Sequence, residues 1–208
     1  MCERIKYENQ AYKLGFSKII GLDEAGRGPM AGPLVVAGVI FPFGYYDERI
    51  NDSKQLSEKK REQLYDIIID NALAYDIEII DVKEVDELNV YQASKQGMLR
   101  AIKNIAVKPD YALSDAMPLG NEIEHLSIIK GDAKSLSIGA ASILAKVTRD
   151  RIMIEYDHQY PQYGFKKHKG YPTKQHKEAI KQYGVTPIHR RSFKPVQEVL
   201  NEQLQFDL

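Results

Sequence analysis

The sequence predicts an α/β protein, a mixed β-sheet flanked by helices with a helical C-terminal segment. Three observations predict it. Short apolar runs rich in Ile and Val come first, bounded by Gly and Pro. Similar runs then alternate with longer stretches of helical period. From about residue 166 onward only helical patterns remain.

In chain order, residues 18–22 and 34–41 read as buried strands. Ser57 is placed to cap a helix running to about residue 72, with Leu64, Ile67 and Ile68 on one face. Residues 75–82 alternate and read as a third strand, and 89–106 as a helix. Residues 111–115, after Pro109, form a short strand ending in a carboxylate. Residues 126–130 form another, ending at Gly131-Asp132. A long helix over about 137–156 opens with IGAASILAK, small residues that permit close backbone approach. Helices over 173–183 and about 194–204 flank an irregular stretch, 184–192. No repeat, low-complexity tract or linker divides the chain, so residues 1–208 are expected to form one catalytic domain.

Composition narrows the class. With 208 residues, 43% hydrophobic and 28% charged, the chain reads as an ordinary globular protein. Its 29 basic and 29 acidic side chains cancel, so bulk charge names no partner. The distribution is uneven. Residues 166–194 hold nine Lys/Arg, one acid and three of the five histidines, a net +8. With Tyr171, Tyr183 and Phe193 interleaved, this is either a phosphate-binding face or a solvated basic helix. Cys2 is the lone cysteine, so neither a disulfide framework nor a cysteine zinc site is available. The N-terminus lacks an apolar signal region, and the run 34–41 is too short to span a bilayer, so a cytoplasmic location is expected.

The segment GLDEAGRGPMAGP, residues 21–33, carries the first chemistry. Neighbouring strand residues point to opposite faces, so Asp23 and Glu24 are expected where the strand ends and the backbone turns. Asp115 and Asp132 each read first as turn formers or caps. Converging, the four carboxylates would repel and their pKa values would rise; a divalent cation removes the conflict. Oxygen ligands without Cys or a His pair suit Mg²⁺ or Mn²⁺. Two such ions, roughly 3.5–4 Å apart, can clamp a phosphoryl displacement. The G-x-G within this loop is not a dinucleotide fingerprint, because Pro29, Pro33 and a β-branched run follow where a helix must open. Bare backbone can instead approach a sugar and sense a 2′-hydroxyl.

GLDEAGRGPMAGP, NDSKQLSEKKR, LSDAMPL, KGDAKSLSIGAASILAKVTRDR, HKGYPTKQH and HRRSFKPV occur in that order. Together they resemble bacterial ribonuclease HII, a type 2 ribonuclease H, over about residues 18–196. The resemblance implies a ribonuclease H-like fold and Mg²⁺- or Mn²⁺-dependent hydrolysis of RNA in RNA–DNA hybrids. It also implies incision 5′ of single ribonucleotides in duplex DNA, leaving 3′-hydroxyl and 5′-phosphate ends. By position, it makes Asp23, Glu24, Asp115 and Asp132 the catalytic, metal-binding carboxylates. It makes Gly26, Arg27 and Gly28 the loop that reads the 2′-hydroxyl, and Tyr171 the junction sensor. The sister family, ribonuclease HIII, carries an extra N-terminal domain and lacks this GRG and tyrosine pair; only about 17 residues precede the first strand here. Ala116 stands where many relatives have Gly, and Gly139 where many have Ala.

Lys54, Lys146, Arg149, Lys167, Lys169, Arg190 and Arg191 are candidate phosphate contacts, each weighed against an ordinary surface cation. Ser135 is a further candidate for that role. The tail QLQFDL, 203–208, resembles peptides that dock on sliding clamps; the competing reading is an amphipathic helix end that packs Leu204 and Phe206. A monomer is expected. Two other functions stay open: a metal-dependent phosphohydrolase of small substrates, and a non-catalytic nucleic-acid binder. The +8 segment disfavours the first, and the four acids disfavour the second.

Overall fold

The computed structural model describes residues 3–51 and 53–206, with side chains up to residue 202. Cys2 and the end of the clamp-like tail lie outside the described residues, as do the side chains of 203–206. The elements run α1 (Lys6–Lys13), β1 (Ile19–Ala25), β2 (Leu34–Ile40), α2 (Glu58–Asn71), β3 (Ala74–Ile80), α3 (Val82–Leu88) and α4 (Val90–Asn104). They continue with β4 (Tyr111–Asp115), β5 (His125–Ile128), α5 (Gly131–Lys134), α6 (Leu136–Gln159), α7 (Phe165–His168), α8 (Lys174–Tyr183) and α9 (Lys194–Phe206). The chain divides into two compact units. The first holds the chain up to Ala25, Val35–Ile79 and Ser94–Val147; the second holds Gly26–Leu34, Ile80–Ala93 and the chain from Thr148.

The sheet has strand order β3-β2-β1-β4-β5. β1 pairs antiparallel with β2 and parallel with β4, and β4 pairs parallel with β5. It is the mixed sheet the sequence predicts. β2 is buried at every position, as its unbroken apolar run requires of a central strand. Ser57 does cap α2, accepting the Lys60 N–H at 3.3 Å.

Several expectations need correction. β1 continues through Ala25, with Asp23 paired to Ala37 and Glu24 to Val36. The acidic pair therefore lies inside the ladder, not beyond its end. Asp132 lies on the short helix α5, not at the end of β5. β3 ends at Ile80, two residues short of the predicted 75–82, and α3 follows: Asp81 caps it by accepting the Glu84 N–H at 2.8 Å. Helix α1, absent from the elements expected from the sequence, buries Glu8 and Ala11.

In the second unit, Met30, Tyr163, Phe165, Ile180 and Val196 form a buried core. His168, His176 and His189 are buried beside it. The His168 and His176 rings stack at 4.4 Å, and His176 Nε2 lies 3.0 Å from His189 Nε2. Asp86 on α3 receives the N–H groups of Arg191 and Ser192 at 2.7 and 3.0 Å, fixing the turn into α9.

Burial pushes His176 down to about 3 and His189 down to about 4. The unfolded chain therefore takes up protons near pH 6.5 that the folded chain refuses. This stability is fully present above pH 6.5 and is lost as pH falls towards 4. Asp23, whose pKa is raised, acts in the opposite direction. The urea midpoint of His176→Asn should therefore fall less between pH 7 and pH 5 than that of the wild type. Equal falls would show that His176 is not held neutral.

Candidate active site

The site starts from strand register. Leu22 on β1 faces Ser114 on β4 in a parallel ladder. Asp23 and Asp115 each follow that pair by one residue, so they share a face. Asp132 reaches them from α5, directly after β5. Carboxylate oxygens of Asp23, Asp115 and Asp132 lie within 4.8 Å of one another. Glu24, one step along β1, stands outside this three-way group. It contributes through its charge: burial first, then Glu24 and Asp115, raise the Asp23 carboxyl well above the usual carboxylate range. A Ser142 hydrogen bond and the Glu24 N–H, 2.7 Å from Asp23 Oδ1, pull it back in part.

Backbone and one cation hold the remaining acids. Asp115 Oδ1 accepts the Gly131 N–H at 2.7 Å. Asp132 Oδ1 accepts the Ala133 N–H at 3.0 Å, and Oδ2 accepts from Lys54 Nζ at 2.9 Å. Arg4 donates to the Asp132 and Ala133 carbonyls at 3.1 and 2.9 Å. Gly139 leaves room for that guanidinium: a Cβ there would come within 2.7 Å of Arg4 Nη2. Ala116 has φ 49°, a left-handed conformation that glycine adopts at lower cost.

Three carboxylate oxygens this close, two of them on buried residues, form a hard donor set that a divalent cation fits. Lys54 supplies one positive charge, and its own side chain is 75% exposed. It therefore screens the cluster only weakly. Neither Cys nor His joins the group among the described residues.

The second unit carries the GRG loop and Tyr171. The Tyr171 ring is 47% exposed. A Cβ on Gly28 would lie 3.2 Å from its Cε1, so the glycine lets the ring settle over bare backbone. Gly26 has φ 104°, and a Cβ there would overlap Arg149 Nε.

The basic candidates separate. Arg149 and Arg190 are 1% and 0% exposed, so they are corrected from surface phosphate contacts to buried clamps. Arg149 donates to the carbonyls of Pro33, Lys169 and Ala31 at 2.9, 2.9 and 3.1 Å. Arg190 Nε donates to Gly32 O at 3.0 Å. Burial lowers Arg149 to about 10 and Arg190 to about 9, so both keep their charge at neutral pH. Ser135 is also corrected: it is buried, and its Oγ donates to Glu8 Oε1 at 2.6 Å and accepts the Ile138 N–H at 3.2 Å. It caps α6 and faces no substrate. Lys167 and Arg191 are exposed, while Lys146 and Lys169 are half-buried. Sequence reasoning missed Glu8, whose oxygen also accepts from Ser137 N–H at 3.0 Å across 129 residues.

The family model for ribonuclease HII matches residues 20–196. The chain belongs to the ribonuclease HII family. A ribonuclease HII of Bacillus mycoides (strain KBAB4) is 53% identical over 200 residues, which cover 96% of this chain and 78% of the relative. Ribonuclease H2 of Pyrococcus horikoshii OT3 superposes with a TM-score of 0.77 at 30% identity, covering 89% of this chain and 98% of that one. Ribonuclease HII of Archaeoglobus fulgidus, solved in a complex with PCNA, gives 0.73 at 27% identity, covering 87% and 96%. Ribonuclease HII members are endoribonucleases acting on RNA in RNA–DNA hybrids and depend on divalent metal. The chain is accordingly a ribonuclease H with a ribonuclease H-like fold, and the small-substrate and non-catalytic readings fall away. No described helix is long and apolar enough to cross a membrane.

If the acids hold a cation, it must stabilise the fold that brings them together. Millimolar Mg²⁺ or Mn²⁺ should raise the thermal midpoint of the wild type, reflecting a stabilisation of about 2–3 kcal/mol at hundredfold excess over Kd. Asp23→Asn should lose that rise. In EDTA the same variant should melt above the wild type, because one member of a repelling set is gone. A metal-dependent rise of equal size in both proteins would remove Asp23 from the ligand set.

Proposed function

We propose that the protein incises duplex DNA on the 5′ side of a single embedded ribonucleotide, as well as cutting the RNA strand of hybrids. The observation that carries the catalytic half of this reading is the convergence of Asp23, Asp115 and Asp132. These three, with Glu24 beside them, would hold a pair of divalent ions, Mg²⁺ or Mn²⁺. Bound there, the ions supply positive charge against the scissile phosphate and ease proton loss from the attacking water. Water adds to phosphorus and the bond to the 3′ oxygen breaks, leaving a 3′-hydroxyl and a 5′-phosphate. Asp115 and Asp132 are oriented by backbone N–H groups, which fixes the direction in which their carboxylates face.

Recognition falls to the loop that follows Glu24 in the chain. Gly26, Arg27 and Gly28 present backbone to the ribose 2′-hydroxyl. The half-exposed Tyr171 ring over Gly28 stacks on the next sugar. A second 2′-hydroxyl would disturb that apolar contact, so the ring distinguishes a junction from uniform RNA. Lys54, Lys146, Lys167, Lys169 and Arg191 remain candidate phosphate contacts. The basic segment from about residue 166 lies against the duplex, and both units serve one catalytic domain. The protein acts as a cytoplasmic monomer. The Archaeoglobus complex supports clamp docking as a further association.

Asp115→Asn should abolish cleavage while leaving duplex affinity within about twofold, since phosphate contacts dominate binding. Both are measured on one substrate, DNA carrying one ribonucleotide, with Mg²⁺ and with EDTA. Near-normal nicking by the variant, or wild-type nicking that survives chelation, would sink the metal mechanism. Product ends are read by ligation, which requires the 3′-hydroxyl and 5′-phosphate to meet.

A further inference from the structure

Tyr171 poses a physical problem. Its ring is 47% exposed, so little packing fixes it. Something else must hold it over Gly28. Its backbone supplies the answer. The Tyr171 N–H donates to His168 O at 2.9 Å, and the preceding Gly170 N–H donates to His168 Nδ1 at 3.2 Å. The Tyr171 carbonyl accepts from Thr173 N–H at 2.8 Å and faces His176 Nδ1 at 3.0 Å. The next residue, Pro172, restricts the Tyr171 backbone to extended forms.

The protons on the rings can be assigned from their neighbours. Thr186 N–H points at His189 Nδ1 from 3.0 Å, so that nitrogen carries a lone pair. The His189 proton then sits on Nε2, which faces His176 Nε2 at 3.0 Å. His176 Nε2 must accept, which leaves its own proton on Nδ1, aimed at the Tyr171 carbonyl. His168 closes the group: its Nε2–H donates to Tyr163 O at 2.8 Å. Every ring nitrogen of the three histidines is thus used within the protein, and none is left for a metal. With neutral rings, reversing any one tautomer sets two donors or two acceptors face to face in a buried place.

We propose that His176 is a positioning residue for junction recognition: His189 fixes its proton on Nδ1, and that N–H holds the Tyr171 carbonyl and so the ring over Gly28. The inference rests on the reading of Tyr171 as the junction sensor. His176 touches no substrate. It acts through the backbone of a residue that does.

The test compares rates on DNA with one ribonucleotide and on a uniform RNA–DNA hybrid, using the full chain with Mg²⁺. Tyr171→Ala sets the scale, lowering the ratio of the two rates. His176→Phe keeps a ring but loses the donor; it should lower the ratio about 5- to 10-fold, the effect of one hydrogen bond. His176→Asn places an amide N–H near the Nδ1 position and should restore the ratio to within about twofold. If Tyr171→Ala lowers the ratio and His176→Phe does not, the inference fails while the reading of Tyr171 stands. Equal slowing of both substrates by His176→Phe would show a structural role alone and also overturn it. An unchanged ratio in Tyr171→Ala would remove the reading and the inference together. A second measurement needs no variant to fold. Two-bond ¹⁵N–¹H spectra of the wild type at pH 7 should show His176 protonated on Nδ1 and His189 on Nε2. The opposite tautomers, or a charged His176, would refute the assignment.

Discussion

The repulsion among the carboxylates of Asp23, Asp115 and Asp132 is the constraint on which the first unit depends. Their oxygens lie within 4.8 Å, and one of the residues, Asp23, is 4% exposed. Water cannot screen such a group, so the fold must impose the approach. It does so with its stiffest part. β1 and β4 are neighbouring parallel strands, and the register that pairs Leu22 with Ser114 brings the two following aspartates onto one face. Parallel pairing needs buried strands with crossover connections, which the long apolar runs and intervening helices provide. The electrostatic cost of apposed acids is met by apolar burial elsewhere in the sheet. A bound cation converts that cost into affinity.

The second unit solves a different problem with the opposite charge. Arg149 and Arg190 are buried and donate to carbonyl oxygens of the glycine loop and of Lys169. An arginine–carboxylate pair would cancel both charges. A guanidinium on carbonyls keeps its charge and fixes backbone geometry through its planar fork. The histidines extend the same logic without charge. In both cases the groups held are backbone atoms.

Much of this was legible in the sequence. The mixed sheet, the cap at Ser57 and the strand 111–115 followed from period and punctuation. Asp23, Asp115 and Asp132, expected to converge, do bring carboxylate oxygens within 4.8 Å of one another, while Glu24 stands outside that group. What misled was local reasoning about what is in fact long-range. Asp23 and Glu24 looked like a strand end, yet ladder pairing with Ala37 and Val36 extends β1 past them. Arg149, Arg190 and Ser135 looked like surface groups, because nothing in composition says which cation finds carbonyls across more than a hundred residues. Glu8 is buried on α1, where an acid does not read as core.

The two units therefore handle electrostatics in complementary ways, and the difference follows what each must do. A catalytic centre has to stabilise charge that exists only during the reaction, so it gains from fixed, preoriented groups. On the proposed reading the acids of the first unit are such groups: backbone N–H groups orient Asp115 and Asp132, and Lys54 pairs with Asp132 at 2.9 Å. A recognition element has to discriminate between two sugars that differ by one hydroxyl, so it gains from rigidity. On the proposed reading the loop and Tyr171 are that element, and hydrogen bonds to the ring nitrogens of the three histidines and to the carbonyls of Ala31 and Gly32 hold it. Selectivity and rate can then be changed separately. On the proposed reading a substitution at the acids alters the charge available to the reaction, whereas one in the histidine group acts on the Tyr171 backbone and on the pH dependence of stability.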